Sequence, residues 1–175
     1  EFDLSQCPAA LEALRAEDDW RIKDHGAWLV SKLAAASSCD ALVEIARSEY
    51  EPTTVRRLLL DALERLATRG EVGWPEIGEI AKLLAQHSEP LLREGVVALL
   101  AAVDAPREKR EVLSTMVRLD DDDEVLARAA EALAGTPPVS LEPDVLERLR
   151  GHPSARVRSA ADKLAPAVAD DAHQG

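Results

Sequence analysis

Residues 152–164 read HPSARVRSAADKL, and residues 87–99 read HSEPLLREGVVAL. Each opens on histidine, passes a proline, and sets an apolar residue five places on, Val157 or Leu92, with arginine next, Arg158 or Arg93. Small and aliphatic residues then follow at helical spacing. A sentence written twice in one chain points to stacked repeats. Working outward, the same kind of apolar anchor stands at Ile22, Val55 and Leu126, so the five anchors lie 33, 37, 34 and 31 residues apart.

A second apolar-periodic segment precedes each anchor: PAALEALRA from Pro8, SCDALVEIARS from Ser38, WPEIGEIAKLLAQ from Trp74, REKREVLSTMVRL from Arg107 and PDVLERLRG from Pro143. Leu11 with Leu14, Leu42 with Ile45, Ile80 with Leu84 and Val112 with Met116 are three or four residues apart, which makes one face of a helix. Breakers fall between, at Ser37 and Ser38, Gly70 and Gly73, Ala105 and Pro106, and the GTPPVS run from Gly135. The spacing predicts ten helices in five antiparallel pairs, with repeats at about 7–37, 38–70, 73–104, 105–135 and 140–169. Residues 170–175, with His173, read as a disordered tail. One pair cannot cover its own apolar faces, so each leans on the next. The expectation is a single all-α domain, an α-solenoid.

Composition agrees. Apolar residues make up 46% of the 175, aromatic ones 3%, and the apolar set is mostly Leu, Ala and Val. With 33 acidic against 21 basic residues the formal charge is −12, which repels nucleic acid and anionic lipid and attracts basic partners. No apolar run approaches the ~18 residues of a membrane span, and the first residues lack a signal-peptide pattern. A soluble, cytoplasmic protein is expected. The opening Glu1 and Phe2, in place of Met, read as a fragment or a cloning remnant. Cys7 and Cys39 open the first helices of adjacent repeats and read as small buried thiols in a reduced compartment.

The second helix of each pair resembles that of HEAT repeats. An acid, an apolar residue three places on, a base beside it and small residues thereafter form that loose pattern. Asp19, Ile22 and Lys23 fit it, as do Glu89, Leu92 and Arg93; Val55 with Arg56 and Val157 with Arg158 fit in part. The tails RAAEAL from Arg128 and SAADKL from Ser159 are similar to the bacterial HEAT-like, PBS-lyase-type variety. The resemblance implies a right-handed α-solenoid of about five HEAT-like helix pairs. Pro52, Ser154 and Ala127 depart from the pattern and interrupt a continuous charge ladder. Read physically, Asp19, Glu89, Asp123 and Ser154 sit where helices begin, Pro52, Pro90 and Pro153 fall at first turns, and Gly26, Gly95, Ala130 and Ala161 permit close helix approach.

Several groups invite chemistry. The run Asp120–Glu124 has a glutamate, Glu131, twelfth from Asp120, as an EF-hand loop requires, but Val125 stands where that loop needs glycine. A solvated turn and helix start accounts for it better. His87 and His152 each lie five residues before an anchor, so they read as turn residues, and no ligand-spaced set surrounds them. Phosphate loops, nucleophile elbows and paired-metal motifs do not occur in the sequence. No cofactor, no metal and no catalytic residue is assigned.

What remains is a surface. At ~100° per residue, one stripe of the second helices lies ~200–240° from each anchor. It collects Asp24 and Trp28, Arg57 and Asp61, Glu94 and Ala98, Arg128 and Ala132, Ser159 and Lys163. In a solenoid this side lines the concave face. Trp28 is the expected contact anchor; Trp20 and Trp74, near helix starts, are expected to wedge between pairs. The functional expectation is a non-catalytic scaffold holding a protein segment, a basic one on charge grounds, through Asp24, Trp28, Arg57, Asp61, Glu94, Arg128 and Lys163. The alternative is an enzyme resembling the HEAT-like alkylpurine DNA glycosylases, which the charge opposes. Self-association through the ends of the stack is a third, since the first helix, with Leu4, Leu11 and Leu14, is only moderately polar.

Overall fold

The computed structural model describes residues 7–136 and 141–171, with side chains over 8–136 and 141–164. Leu4, the Cys7 side chain and residues 172–175 with His173 lie outside them, whereas residues 170 and 171, expected in the tail, end the last helix. Every regular element among the described residues is helical. In order these are α1 (Cys7–Ala16), α2 (Trp20–Leu33), a 3-10 turn (Ala36–Ser38), α3 (Cys39–Arg47), α4 (Thr53–Thr68) and α5 (Trp74–Leu84). Then come α6 (Pro90–Ala102), α7 (Pro106–Leu119), α8 (Asp123–Ala134), α9 (Pro143–Arg150) and α10 (Ala155–Asp171).

The helices gather into two compact units, Glu1–Ala105 and Pro106–Gly175. In the first, α1 packs on α2, α3 on α4 and α5 on α6; α2, α4 and α6 also pack in succession, as do α1, α3 and α5. In the second, α7 packs on α8, α9 on α10, and α8 on α10. The apolar spacing explains the pairing. Along α4, Val55, Leu59, Leu60, Ala62, Leu63 and Leu66 are all fully buried, and each large side chain removed from water contributes about 1.5–3 kcal/mol. Cys39 is buried and reduced, and burial, with Asp40 and Glu76 nearby, pushes its thiol up to about 11. It is therefore an inert packing group at neutral pH.

Local chemistry ends each helix. Gly70 adopts φ +69 and closes α4: its N–H donates to Ala67 O at 2.9 Å, and that of Glu71 to Leu66 O at 2.9 Å. These two bonds are the Schellman pattern, and the left-handed backbone suits glycine. Asp19 caps α2, accepting from Arg21 N at 2.9 Å. Two expected starts differ in detail. Asp122 rather than Asp123 caps α8, its Oδ1 accepting from Glu124 N at 3.0 Å and Val125 N at 3.1 Å. Glu89 holds the cap position of α6 without a side-chain bond, because His87 serves that turn instead.

The repeated stretch is explained at atomic level. Glu89 N donates to His87 Nδ1 at 3.1 Å, and Ser154 N donates to His152 Nδ1 at 3.3 Å. Arg93 Nη1 donates to the carbonyls of His87 and Ser88 at 2.8 and 2.9 Å, and Arg158 Nη1 to those of His152 and Pro153, both at 2.7 Å. Histidine and arginine together satisfy the turn's orphaned backbone groups. The basic residue beside the anchor does other work elsewhere. Arg56 Nε donates to Ala46 O of α3 at 2.9 Å, and Lys23 Nζ lies 2.8 Å from Glu51 Oε2.

Two tryptophans depart from expectation or refine it. Trp20, the first residue of α2, is 61% exposed, standing in solvent rather than wedged between pairs. Trp74 is half-buried over its own helix, so close that a Cβ on Gly78 would come within 2.7 Å of Trp74 Cε2. The anchor Ile22 also differs from its four counterparts. Val55, Leu92, Leu126 and Val157 are buried, whereas Ile22 is 58% exposed.

Candidate functional site

In the first compact unit, Asp24 and Trp28 lie on α2, Arg57 and Asp61 on α4, and Glu94 on α6, at equivalent registers of three successively packed helices. Arg57 Nη1 bonds to Asp61, one turn further on. Its stem lies against α6, where a Cβ on Gly95 would come 3.0 Å from Arg57 Cδ and 2.8 Å from Leu60 Cδ1. Glycine at 95 is what lets α4 and α6 close together. Glu94 is half-buried, as is Asp24, whose Oδ1 is buried with no hydrogen-bond partner among the described residues. Trp28 is 51% exposed, and Lys32 Nζ sits 5.6 Å from its ring centroid.

In the second unit, Arg128 Nε donates to Glu124 Oε1 at 2.5 Å, and Arg156 of α10 bonds to the same carboxylate. The Arg128 bond is the chief reason that the Glu124 carboxyl sits below its ordinary value. Lys163 Nζ donates to Glu131 Oε1 at 2.7 Å, a second tie from α10 to α8. Four stripe cations and anions, Arg57, Asp61, Arg128 and Lys163, thus hold intramolecular ion pairs. Ion pairs at partly exposed sites contribute little to stability, on the order of 0–1 kcal/mol. They fix side-chain directions and leave Trp28 as the large apolar group of the stripe.

The acidic run is absorbed by its turn. Asp120 Oδ1 accepts from Asp122 N at 3.0 Å, Asp122 caps α8, and Glu124 holds the two arginines. Among the described residues no cluster of three or more histidines, cysteines and carboxylates is placed to hold a metal ion. None of the described helices is long and apolar enough to cross a membrane.

Sequence reasoning passed over the outer side of α2. Ile22, Trp28 and Leu29 are all exposed there, at 58, 51 and 43%. One signal was present in the chain. Three residues beyond the anchor stand Leu58, Gly95, Ala129 and Ala160 in the later second helices, but His25 in α2. A polar side chain at a packing register marks a side left in water.

Neither the protein-family models nor the curated proteins compared with this chain match it.

Proposed function

We propose that the chain is a non-catalytic protein-interaction module: a right-handed solenoid of HEAT-like helix pairs that holds a segment of another protein on the face of its second helices. One observation carries this reading. Trp28 is 51% exposed at a register where α4 has Asp61 and α6 has Ala98, on a chain with only 3% aromatic residues. A half-exposed indole beside fixed charges has the character of an interface hot spot, apolar enough to gain from burial and polar enough to stay soluble. The succession of helix pairs in the first unit, second helix on second helix, supports the stacked arrangement. The formal charge of −12 favours a basic segment at long range.

The test is affinity capture from the parent cells with a photo-crosslinking residue in place of Trp28. A protein adduct is expected at that position, and Trp28→Ala is expected to weaken the purified complex by at least about tenfold. A partner held equally well by Trp28→Ala and Asp61→Ala overturns the assignment of the face.

A further inference from the structure

We infer that the outer side of α2, with Ile22, His25 and Leu29 along its seam and Arg21 and Lys32 beside them, is a docking site for an amphipathic helix of another protein whose apolar stripe is flanked by acidic residues. The inference shares Trp28 with the reading above but does not use Arg57, Asp61 or Glu94, and the Arg57→Ala/Asp61→Ala variant below tells the two apart.

Register supplies the first argument. Gly95, three residues past its anchor, is where α6 meets Leu60 and Arg57 of α4. The side holding the anchor and the residues three and seven places on is thus the side a second helix turns toward the one before it. On α6 these are Leu92, Gly95 and Leu99, all buried; on α4 they are Val55 and Ala62, buried, with Leu58 half-buried. On α2 they are Ile22, His25 and Leu29, all exposed. A ridge with aliphatic residues seven apart is shaped to receive a helix.

Charge supplies the second. At ~100° per residue, Trp28, Arg21, Lys32, His25, Leu29 and Ile22 share one arc of about 120°. The carboxylate of α2, Asp24, falls outside it. Arg21 Cζ lies 5.2 Å from the Trp20 ring centroid and Lys32 Nζ 5.6 Å from that of Trp28. Neither cation pairs with a carboxylate among the described residues, whereas Lys23, on the inner side of the same helix, sits 2.8 Å from Glu51. Among the residues of α2 itself, this arc therefore carries cations and no carboxylate. A second copy docking on a twofold axis would set these cations against themselves. Nucleic acid and anionic lipid are dense polyanions repelled by the charge of −12 and offer Ile22 and Leu29 no ridge-and-groove complement. A short helix with a few carboxylates meets the cations within a Debye length, about 8 Å, where the local field dominates.

The test uses the full chain with Trp20→Phe and Trp74→Phe, so that fluorescence reports on Trp28 alone. Two designed helical peptides of about four turns share one leucine stripe, flanked by glutamates in one and lysines in the other. The glutamate peptide is expected to shift Trp28 emission, and to bind about tenfold or more weakly to Arg21→Glu/Lys32→Glu and to Leu29→Asp. The charge-reversed variant is expected to gain a Trp28 response to the lysine peptide. Arg57→Ala/Asp61→Ala is expected to bind like the parent. All three α2 substitutions are at exposed positions, and an unchanged thermal melt by circular dichroism confirms folding. Binding of the glutamate peptide that ignores both α2 variants overturns the inference. So does a dimer in sedimentation that Leu29→Asp dissolves, or a Trp28 response to phosphatidylglycerol vesicles without one to the peptide.

Discussion

Helices α2 and α4 carry the same kind of text and meet different fates. Both set an aliphatic anchor, a base beside it, and further apolar or small residues four and seven places on. In α4 those positions, Val55, Leu59 and Ala62, are fully buried; in α2, Ile22 and Leu29 are exposed by 58 and 43%. The bases diverge likewise, Arg56 reaching the carbonyl of Ala46 on α3 and Lys23 reaching Glu51. The difference lies in neighbours. Helix α4 is packed by α2, α3 and α6, while α2 is packed by α1 and α4. Amphipathicity says how much apolar surface a helix offers; only the count of flanking helices says how much of it is covered.

The strongest way to break this comparison is to truncate one leucine of each helix, Leu59 of α4 and Leu29 of α2. Leu59→Ala should cost about 2–5 kcal/mol in denaturant unfolding, the loss of a buried side chain plus its cavity. Leu29→Ala, seven places past its own anchor, should cost about 1 kcal/mol or less. Equal losses would mean that the outer side of α2 is covered in solution.

A smaller effect is expected at the bases. Arg56→Ala leaves the Ala46 carbonyl without its charged donor and should destabilise by about 1.5–3 kcal/mol, read by the same unfolding experiment. Asp19→Ala probes the opposite dependence, since α2 has a side-chain cap where α4 begins at Pro52 without one. A loss of about 1 kcal/mol is expected, with amide exchange rising first in the opening turn of α2.

The smallest expected effect concerns the tie between the two helices. Arg69 Nη2 donates to Ala34 O at 3.0 Å, just past the end of α2, and its Nε to Glu71 Oε1 at 2.5 Å. The bond from Arg69 holds the Glu71 carboxyl below its ordinary value of 4.5. The ionised form is thus favoured by folding, so its contribution is present above pH 4.5 and fades as pH falls through the lower folded value. Glu71→Gln should flatten that part of the acid limb in thermal melts, with a small loss of stability at neutral pH that disappears below the folded value.

The repeat register was legible because it is written locally. Gly70, the prolines opening α6, α7 and α9, and the three-and-four spacing of Leu42 with Ile45 mark helix boundaries and faces in any surroundings. The paired roles of His87 with His152 and Arg93 with Arg158 were visible as register, though not as bonds. The candidate face was legible as a stripe, but its ion pairs were not, since Lys163 and Glu131 stand 32 residues apart. The outer side of α2 left one local mark, His25 at a packing register, but which helices flank it is not written locally.

By itself the sequence determined that this chain makes helices, where they start and stop, and which side of each is apolar. Those properties depend on backbone bonds and side-chain spacing within a few turns. Tertiary structure alone decided which apolar sides find a neighbour, which cations find a carboxylate, and that Trp28 and the α2 seam remain in water. Burial and pairing are relations between distant segments, and no single helix contains them.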